Sequence, residues 1–363
     1  MKYWIERWSG LRKKELMSYP NDFPIHDVYN TICTPEELKS GFDELHEIFS
    51  HCYEDILNDP AGMLLQIYDM NEYDYFSKEA RSSREDSYKY AKVFYVLGSA
   101  GELKQTGGLC IHSNKLKEQC KALKITNIGA FLNILGNYGI VTEGLVNGKL
   151  KSNTEITVSY PDNKNVIITL YILAVKANAA NRFGDFCRLN YRLFEGDWNT
   201  IEYNNGVKTV SDLFHSEQDR ETARLIHEEL IKRNYCYNFQ DWNEGPQIRY
   251  YKKESDRNRN TNADFWLTSM DTEFKFYFRI KNIDNVLEYI KSCPDSVIGN
   301  FMASDNGCAN MASGTCASGI SYELNGKTIW RCGCCNPNFR VTPGAEDYLY
   351  YINAVDMAGS KKK

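Results

Sequence analysis

Five of the chain's twelve cysteines fall within residues 308–335, in the stretch CANMASGTCASGISYELNGKTIWRCGCC. Thiolates are soft ligands, and a tetrahedral zinc ion takes them in pairs delivered by tight turns. Cys332 and Cys335 form a C-x2-C pair, with Cys334 beside them, on a turn of Gly, Asn and Pro. Cys308 and Cys316 would supply the second pair. Their spacing is wider than usual, and Gly307, Gly314 and Gly319 give that loop room to bend around an ion. Between the pairs, 320–324 and 327–331 flank Asn325-Gly326 and read as a hairpin. Two cysteine turns joined by a hairpin resemble a zinc ribbon or treble clef. The pattern points to structural zinc on Cys308, Cys316, Cys332 and Cys335, a closed site that adds folding energy and leaves no position for a substrate. Buried or redox-active thiols and disulfides are the competing readings. A chain with no apparent secretory signal belongs in a reducing compartment, which weighs against disulfides. No histidine lies in the cluster.

The elements around this cluster follow from periodicity and caps. Residues 1–33 read as irregular, broken by Pro20 and Pro24, with the Trp-, Arg- and Lys-rich start as a short amphipathic or mobile arm. A helix then opens at Thr34 as N-cap, with Pro35 in the first position and Glu36 and Glu37 at the positive end. Phe42, Leu45, Ile48, Phe49, Cys52 and Ile56 make its apolar face, and Asn58, Asp59, Pro60 and Gly62 end it. A second helix is expected over 84–97. Ser113 opens a third, with Leu116, Cys120 and Leu123 on one face, and a fourth covers 127–137, with Ile128, Phe131, Leu132 and Leu135 inward. Residues 155–160 and 166–173 read as strands, because β-branched residues dominate both, joined by a turn at Pro161-Asp162-Asn163-Lys164. Three helices followed by a hairpin is the order of a winged helix-turn-helix, the hairpin being its wing.

Further on, 216–232 reads as a helix, 235–239 and 248–251 as strands, and 254–264 as an exposed loop. Residues 265–269 and 274–280 make a hairpin in which Phe274, Phe276, Phe278 and Ile280 alternate with Lys275, Tyr277 and Arg279, giving one buried and one wet face. A helix over 284–290 would pack back on that sheet. The expected class is α+β. It comprises an N-terminal arm and helical segment (1–83), a winged-helix-like domain (84–176), a small antiparallel-sheet α+β domain (177–300) and a Cys-rich, zinc-ribbon-like module (301–363).

Composition bounds the function. Over 363 residues, 42% hydrophobic and 25% charged content is that of a soluble globular protein. A net charge of −5 argues against nucleic-acid binding by the whole surface but permits a local basic patch. No run approaches the ~18 apolar residues of a membrane span, and the N-terminus lacks an apolar signal core. The expectation is a cytoplasmic protein without a membrane partner. The other seven cysteines, Cys33, Cys52, Cys110, Cys120, Cys187, Cys236 and Cys293, read as small buried apolar residues. Dinucleotide, P-loop, nucleophile-elbow and H-E-x-x-H signatures are all missing. His46 and His51 are five residues apart and do not share a helix face; His215 and His227 read as surface or satisfied residues.

In a winged helix the fourth helix and the wing would meet DNA. Asn127, Asn133 and Asn137 could pair with adenine edges, and Lys121, Lys124, Lys149, Lys151 and Lys164 could meet phosphates. Against this, Asn127 is equally an N-cap, surface lysines are commonly just solvated, and the fourth helix carries no Arg or Lys. Many winged helices serve only as protein–protein scaffolds.

Cys308, Cys316, Gly319-Ile320, Tyr322, Asn325-Gly326-Lys327, Cys332, Phe339, Glu346-Asp347 and Tyr350 together resemble the C-terminal tail of a family of uncharacterised proteins from clostridia and related Firmicutes. The run from Phe276 to Lys281 with Asn282-Ile283-Asp284, and Ser159-Tyr160-Pro161-Asp162 further back, share that resemblance. It covers the second half of the chain in patches, and it implies an architecture without supplying catalytic residues. The leading expectation is a non-enzymatic regulatory or interaction protein with structural zinc, whose partner is DNA or another protein. The alternative is a thiol- or zinc-dependent enzyme using Cys334 or Cys335, with Arg331 and Arg340 lowering the thiol pKa.

Overall fold

The helix signalled by Thr34 and Pro35 is the second of the molecule, α2 (Pro35–Asn58), and its cap is reciprocal. Thr34 Oγ1 accepts from the Glu37 N–H at 3.2 Å, and the Glu37 carboxylate accepts from the Thr34 N–H at 3.0 Å. Two helix-end donors are thereby satisfied at once. Leu38, Phe42, Leu45, Ile48, Phe49, Cys52 and Ile56 are buried along one side, as their spacing requires. The computed structural model describes residues 3–16, 19–70, 77–198, 216–242, 245–256, 263–268, 274–280, 282–303, 320–331, 339–344 and 346–359. The chain divides into two compact units, Met1–Tyr203 and Asn204–Lys363. Both combine helices with antiparallel sheet, so the α+β class holds.

In the first unit, four expectations are corrected. Residues 1–33 are not irregular throughout: α1 (Trp4–Glu15) is a helix whose Trp4, Ile5 and Trp8 are buried. Trp4 stacks on Trp8 at 6.5 Å, and the Trp8 indole N–H donates to the Ala80 carbonyl at 3.1 Å. Arg12 and Glu15 are buried as an ion pair, with the Arg12 guanidinium 4.2 Å over the Tyr88 ring. The expected amphipathic or mobile arm is thus a helix that turns Arg12 and Glu15 inward together with its tryptophans.

The second correction concerns 166–173, which is not a strand. It belongs to α7 (Asn165–Ala179), in which Val166, Ile167, Ile168, Leu170, Ile172 and Leu173 are all buried. A β-branched residue costs a helix a few tenths of a kcal/mol, whereas burying a large aliphatic side chain contributes roughly 1.5–3 kcal/mol. Burial decides. The run also continues without Gly or Pro for 15 residues, which is long for a strand and ordinary for a helix. Two glycines let its neighbours approach closely. A Cβ on Gly41 of α2 would lie 2.2 Å from the Asn165 carbonyl oxygen, and one on Gly98 of α4 (Lys89–Ala100) 2.8 Å from that of Leu170.

The helix expected over 84–97 is two helices, α3 (Lys78–Asp86) and α4, parted at Ser87-Tyr88. After α4 come β1 (Glu102–Leu103), β2 (Leu109–His112), α5 (Ser113–Ala122), α6 (Ile128–Leu135), β3 (Val141–Glu143) and β4 (Glu155–Ser159). The strands form one antiparallel sheet in the order β1-β2-β4-β3. Leu109 pairs with Val158 and Ile111 with Ile156, and all four side chains are buried. The hairpin partner of β4 is therefore β3, on its N-terminal side, and the connecting loop is 144–154 rather than 161–164. After α7, α8 (Phe183–Cys187) completes the helices of this unit among the described residues.

Among the described residues the second unit opens with α9 (Glu217–Lys232), where Ser216 Oγ accepts from the Asp219 N–H at 3.4 Å. Among the described residues its sheet has five antiparallel strands: β5 (Cys236–Trp242), β6 (Gly245–Tyr251), β7 (Phe265–Thr268), β8 (Lys275–Phe278) and β11 (Phe339–Val341). Their order is β11-β8-β7-β6-β5. The aromatic hairpin is as expected, with Phe265 opposite Phe278 and Leu267 opposite Phe276. Phe278 stacks on Phe339 at 5.0 Å. The supposedly wet face is only partly so, because Tyr277 is covered by Trp266 at 5.8 Å and Arg340 at 5.3 Å. Residues 284–290 form a 3-10 turn leading into α10 (Leu287–Lys291), followed by α11 (Asp295–Met302). A separate hairpin, β9 (Ile320–Leu324) with β10 (Lys327–Arg331), turns on Asn325 and Gly326, both at positive φ. The last helix is α12 (Tyr348–Gly359), whose Tyr351 and Ile352 share one core with Ile226 and Leu230 of α9.

Candidate functional site

An open groove of about 460 Å³ lies in the first unit between α5, the turn into α6, and the loop 144–154. Cys120 and Ile125 are buried at its floor, and Lys117, Lys121, Lys124 and Lys149 stand around it. Across residues 113–154 there are six lysines and two glutamates, in a chain whose net charge is −5. Lys121, Lys124, Lys149 and Lys151 are exposed, and among the described residues none of their side chains has an ion-pair or hydrogen-bond partner.

The turn between the helices is built by local rules with one departure. The Ile125 N–H bonds to the Cys120 carbonyl at 2.8 Å and the Lys124 N–H to that of Lys121 at 3.2 Å. This is the double closure that usually places glycine at the left-handed position after a helix. Here Lys124 holds that position, at φ 57. An L side chain costs roughly 1–2 kcal/mol there, so a lysine is kept where glycine would be easier. Asn127 is also left-handed, at φ 57, and its side chain makes no capping hydrogen bond.

The loop 144–154 is held against both helices. At its tip Val146 and Lys149 exchange backbone hydrogen bonds of 3.0 and 3.1 Å around Asn147 and Gly148, both at positive φ. This is a two-residue hairpin turn of the kind Asn-Gly favours. Its return arm is tied to α5: the Ser113 N–H donates to the Thr154 carbonyl at 2.8 Å, and Lys117 Nζ to Ser152 Oγ at 2.8 Å. It also lies on α6 at Gly129, where a Cβ would come within 2.6 Å of the Gly148 carbonyl oxygen. Asn133 Nδ2 reaches that same oxygen at 3.5 Å.

The residues singled out from sequence thus separate. Lys121, Lys124, Asn127 and Lys149 line the groove together. Lys151 sits on the exposed return arm, Asn133 leans toward the loop, and Asn137 is exposed on the 3-10 turn continuing α6. Lys164 stands apart, at the head of α7, 3.8 Å from Glu37. Lys117, Gly129 and the Asn147-Gly148 turn were missed. The Asn-Gly dipeptide was the available signal, but the flanking residues lack the alternation that marks strands.

Cys308, Cys316, Cys332, Cys334 and Cys335 lie outside the described residues, as does His215. Among the described residues no group of three or more His, Cys, Asp or Glu could hold a metal ion. Of the seven scattered cysteines, Cys33, Cys52, Cys120, Cys187 and Cys293 are buried and Cys110 and Cys236 half-buried, in keeping with an apolar role. Burial pushes the Cys120 thiol up to about 12, which suits packing and not nucleophilic chemistry. Arg331 is also committed: its guanidinium donates to the Asn300 carbonyl at 2.6 Å and lies 4.7 Å over the Phe339 ring. His46 packs edge-on against Tyr19 at 5.2 Å. His227 Nδ1 is 2.9 Å from the Tyr250 hydroxyl, and burial lowers its pKa. No helix among the described residues is long and apolar enough to cross a membrane. Comparison with protein-family models, curated proteins and solved structures finds no match for this chain.

Proposed function

We propose that residues 89–159 act as a winged helix-turn-helix that binds duplex DNA, with α5 and α6 as the helix-turn-helix and 141–159 as the wing. The observation that carries the reading is the set of exposed lysines without carboxylate partners on both rims of one groove. The order α4, β2, α5, α6, β3, β4 and the sheet arrangement β2-β4-β3 support it as well. So does the first turn of α6, whose positive helix end opens at the groove. In this reading Lys121 and Lys124 meet phosphates on one side and Lys149 and Lys151 on the other, while α6 faces base edges. The acidic balance of the whole chain is no obstacle, because the attraction is local and screened over about 8–10 Å at ordinary ionic strength.

The test is a titration of a fluorescent duplex at about 50 and 200 mM salt, with the wild type and a variant in which Lys121, Lys124, Lys149 and Lys151 are all alanine. Each phosphate contact adds about 0.9 to the slope of log affinity against log salt. The variant is expected to lose at least about 100-fold in affinity at low salt and to flatten the slope by about 3–4, with its melting temperature unchanged. Equal, salt-insensitive binding by both proteins would overturn the proposal.

For the second unit we propose structural zinc on Cys308, Cys316, Cys332 and Cys335. The hairpin register favours it: Ile320 and Arg331 are partners, so the segments carrying Cys316 and Cys332 both join the same end of β9–β10. Elemental analysis of freshly purified protein should find about one zinc per chain, lost together with the fold of that unit in Cys332→Ser, because such binding energy is folding energy. Metal-free wild type and an intact Cys332→Ser fold would exclude it.

A further inference from the structure

Between Ile125 and Thr142 the chain has no charged residue; Lys124 and Glu143 bound the interval. Ile128, Phe131, Leu132 and Leu135 turn inward, and Gly129 lies under the loop. What remains on the outer face of α6 and its 3-10 extension is Ala130, Ile134 and Tyr138, half-buried, with Asn133, Gly136 and Asn137, exposed. Positions 130, 134 and 137 follow one another at helical spacing and so share a face. Asn137 makes no side-chain hydrogen bond among the described residues, whereas Asn133 is drawn toward the Gly148 carbonyl.

From this face we infer that the groove-flanked helix reads A·T base pairs in the major groove, with Asn137 as the adenine-reading residue and Ala130 and Ile134 as the surface for thymine methyl groups. The inference rests on the DNA-binding reading given above. The chemistry is one of exclusion as much as fit. Guanine is recognised through O6 and N7 by Arg or Lys, and the cytosine amino group by a carboxylate; α6 and its extension carry none of these, and the neighbouring Asp55 carboxylate accepts from the Tyr138 hydroxyl at 2.6 Å. Adenine N7 accepts from the N–H2 of one amide side chain while its N6 amino group donates to that amide's oxygen, and the thymine methyl takes an apolar contact. The lysines stand off this face, on α5 and on the loop, where they can hold phosphates without competing for base edges.

Four duplexes of equal length, each about 20 base pairs, test this at one salt concentration. The first has a central A·T block and the second a G·C block. The third replaces thymine by deoxyuridine in the A·T block, and the fourth replaces adenine by 7-deazaadenine. Wild type is expected to prefer the first over the second by at least about tenfold and to lose most of that preference on the third and fourth. Asn137→Ala should no longer distinguish adenine from 7-deazaadenine while still responding to the methyl group. A preference for G·C, or an A·T preference untouched by both analogues, would overturn the inference. Equal, lysine-dependent binding to all four would overturn it and leave DNA binding standing; no binding to any duplex would remove both.

Discussion

The groove of the first unit and the surface around Asp356 of the second use charge in opposite ways. At Asp356 every charge is answered. Its carboxylate accepts from Arg233 at 3.0 Å, Lys252 at 3.1 Å and the Tyr235 hydroxyl at 2.7 Å, and Arg233 also holds Glu229 at 2.7 Å. Burial alone would raise the Asp356 carboxyl; the bonds from Tyr235, Arg233 and Lys252 outweigh it and hold it below its ordinary value. Around the groove, Lys121, Lys124 and Lys149, and Lys151 on the adjoining return arm, have no such partners among the described residues. Paired charges of this kind link α9, the β5–β6 hairpin and α12. Unpaired lysines in water contribute little to the fold, and what they leave is a local positive field available to an anionic partner.

Substitutions on the two surfaces should therefore part company. The largest effect on stability is expected from Asp356→Ala, which takes one partner from Arg233 and from Lys252 and leaves the Tyr235 hydroxyl without its acceptor. About 2 kcal/mol should be lost in urea unfolding of the second unit, with DNA affinity unchanged. An equal loss from the four-lysine variant would erase the contrast. Lys124→Gly should sharpen it from the other side. Relief of the left-handed strain is expected to stabilise the first unit by about 0.5–1 kcal/mol, while DNA affinity falls several-fold for want of one phosphate contact. A destabilised Lys124→Gly would mean that the lysine is held for packing.

The smallest effect is in pH. Because the Asp356 pKa is lowered from 3.8, its contribution is fully present above that value and disappears as pH falls through the folded pKa. The stability gap between wild type and Asp356→Asn should stay constant from about pH 7 to 5 and close only below about 4. A gap that closed near neutrality would assign the effect to another group.

What the sequence by itself determined is what short-range chemistry decides. Thr34, Pro35 and Glu37 specify where α2 starts, Ser216 caps the head of α9, and Asn325-Gly326 specifies the turn between β9 and β10, because caps and tight turns are satisfied within a few residues. The alternating phenylalanines of 274–280 likewise announced a buried sheet face. The lysines at 121, 124 and 149 were visible as residues, though not as the lining of one groove. That arrangement depends on Gly129 admitting the loop to the surface of α6, a contact between positions far apart in the chain. The tertiary structure settled 166–173 as helix: the length of the uninterrupted run leans that way, but the apolar stretch itself fits strand and helix alike until α2 and α4 close on it through Gly41 and Gly98. It likewise folded the Trp-rich start into α1, where Arg12 and Glu15 neutralise one another in the interior. It moved the hairpin to the other side of β4 as well, because pairing between strands is settled by which faces are buried together and not by which runs are neighbours in sequence.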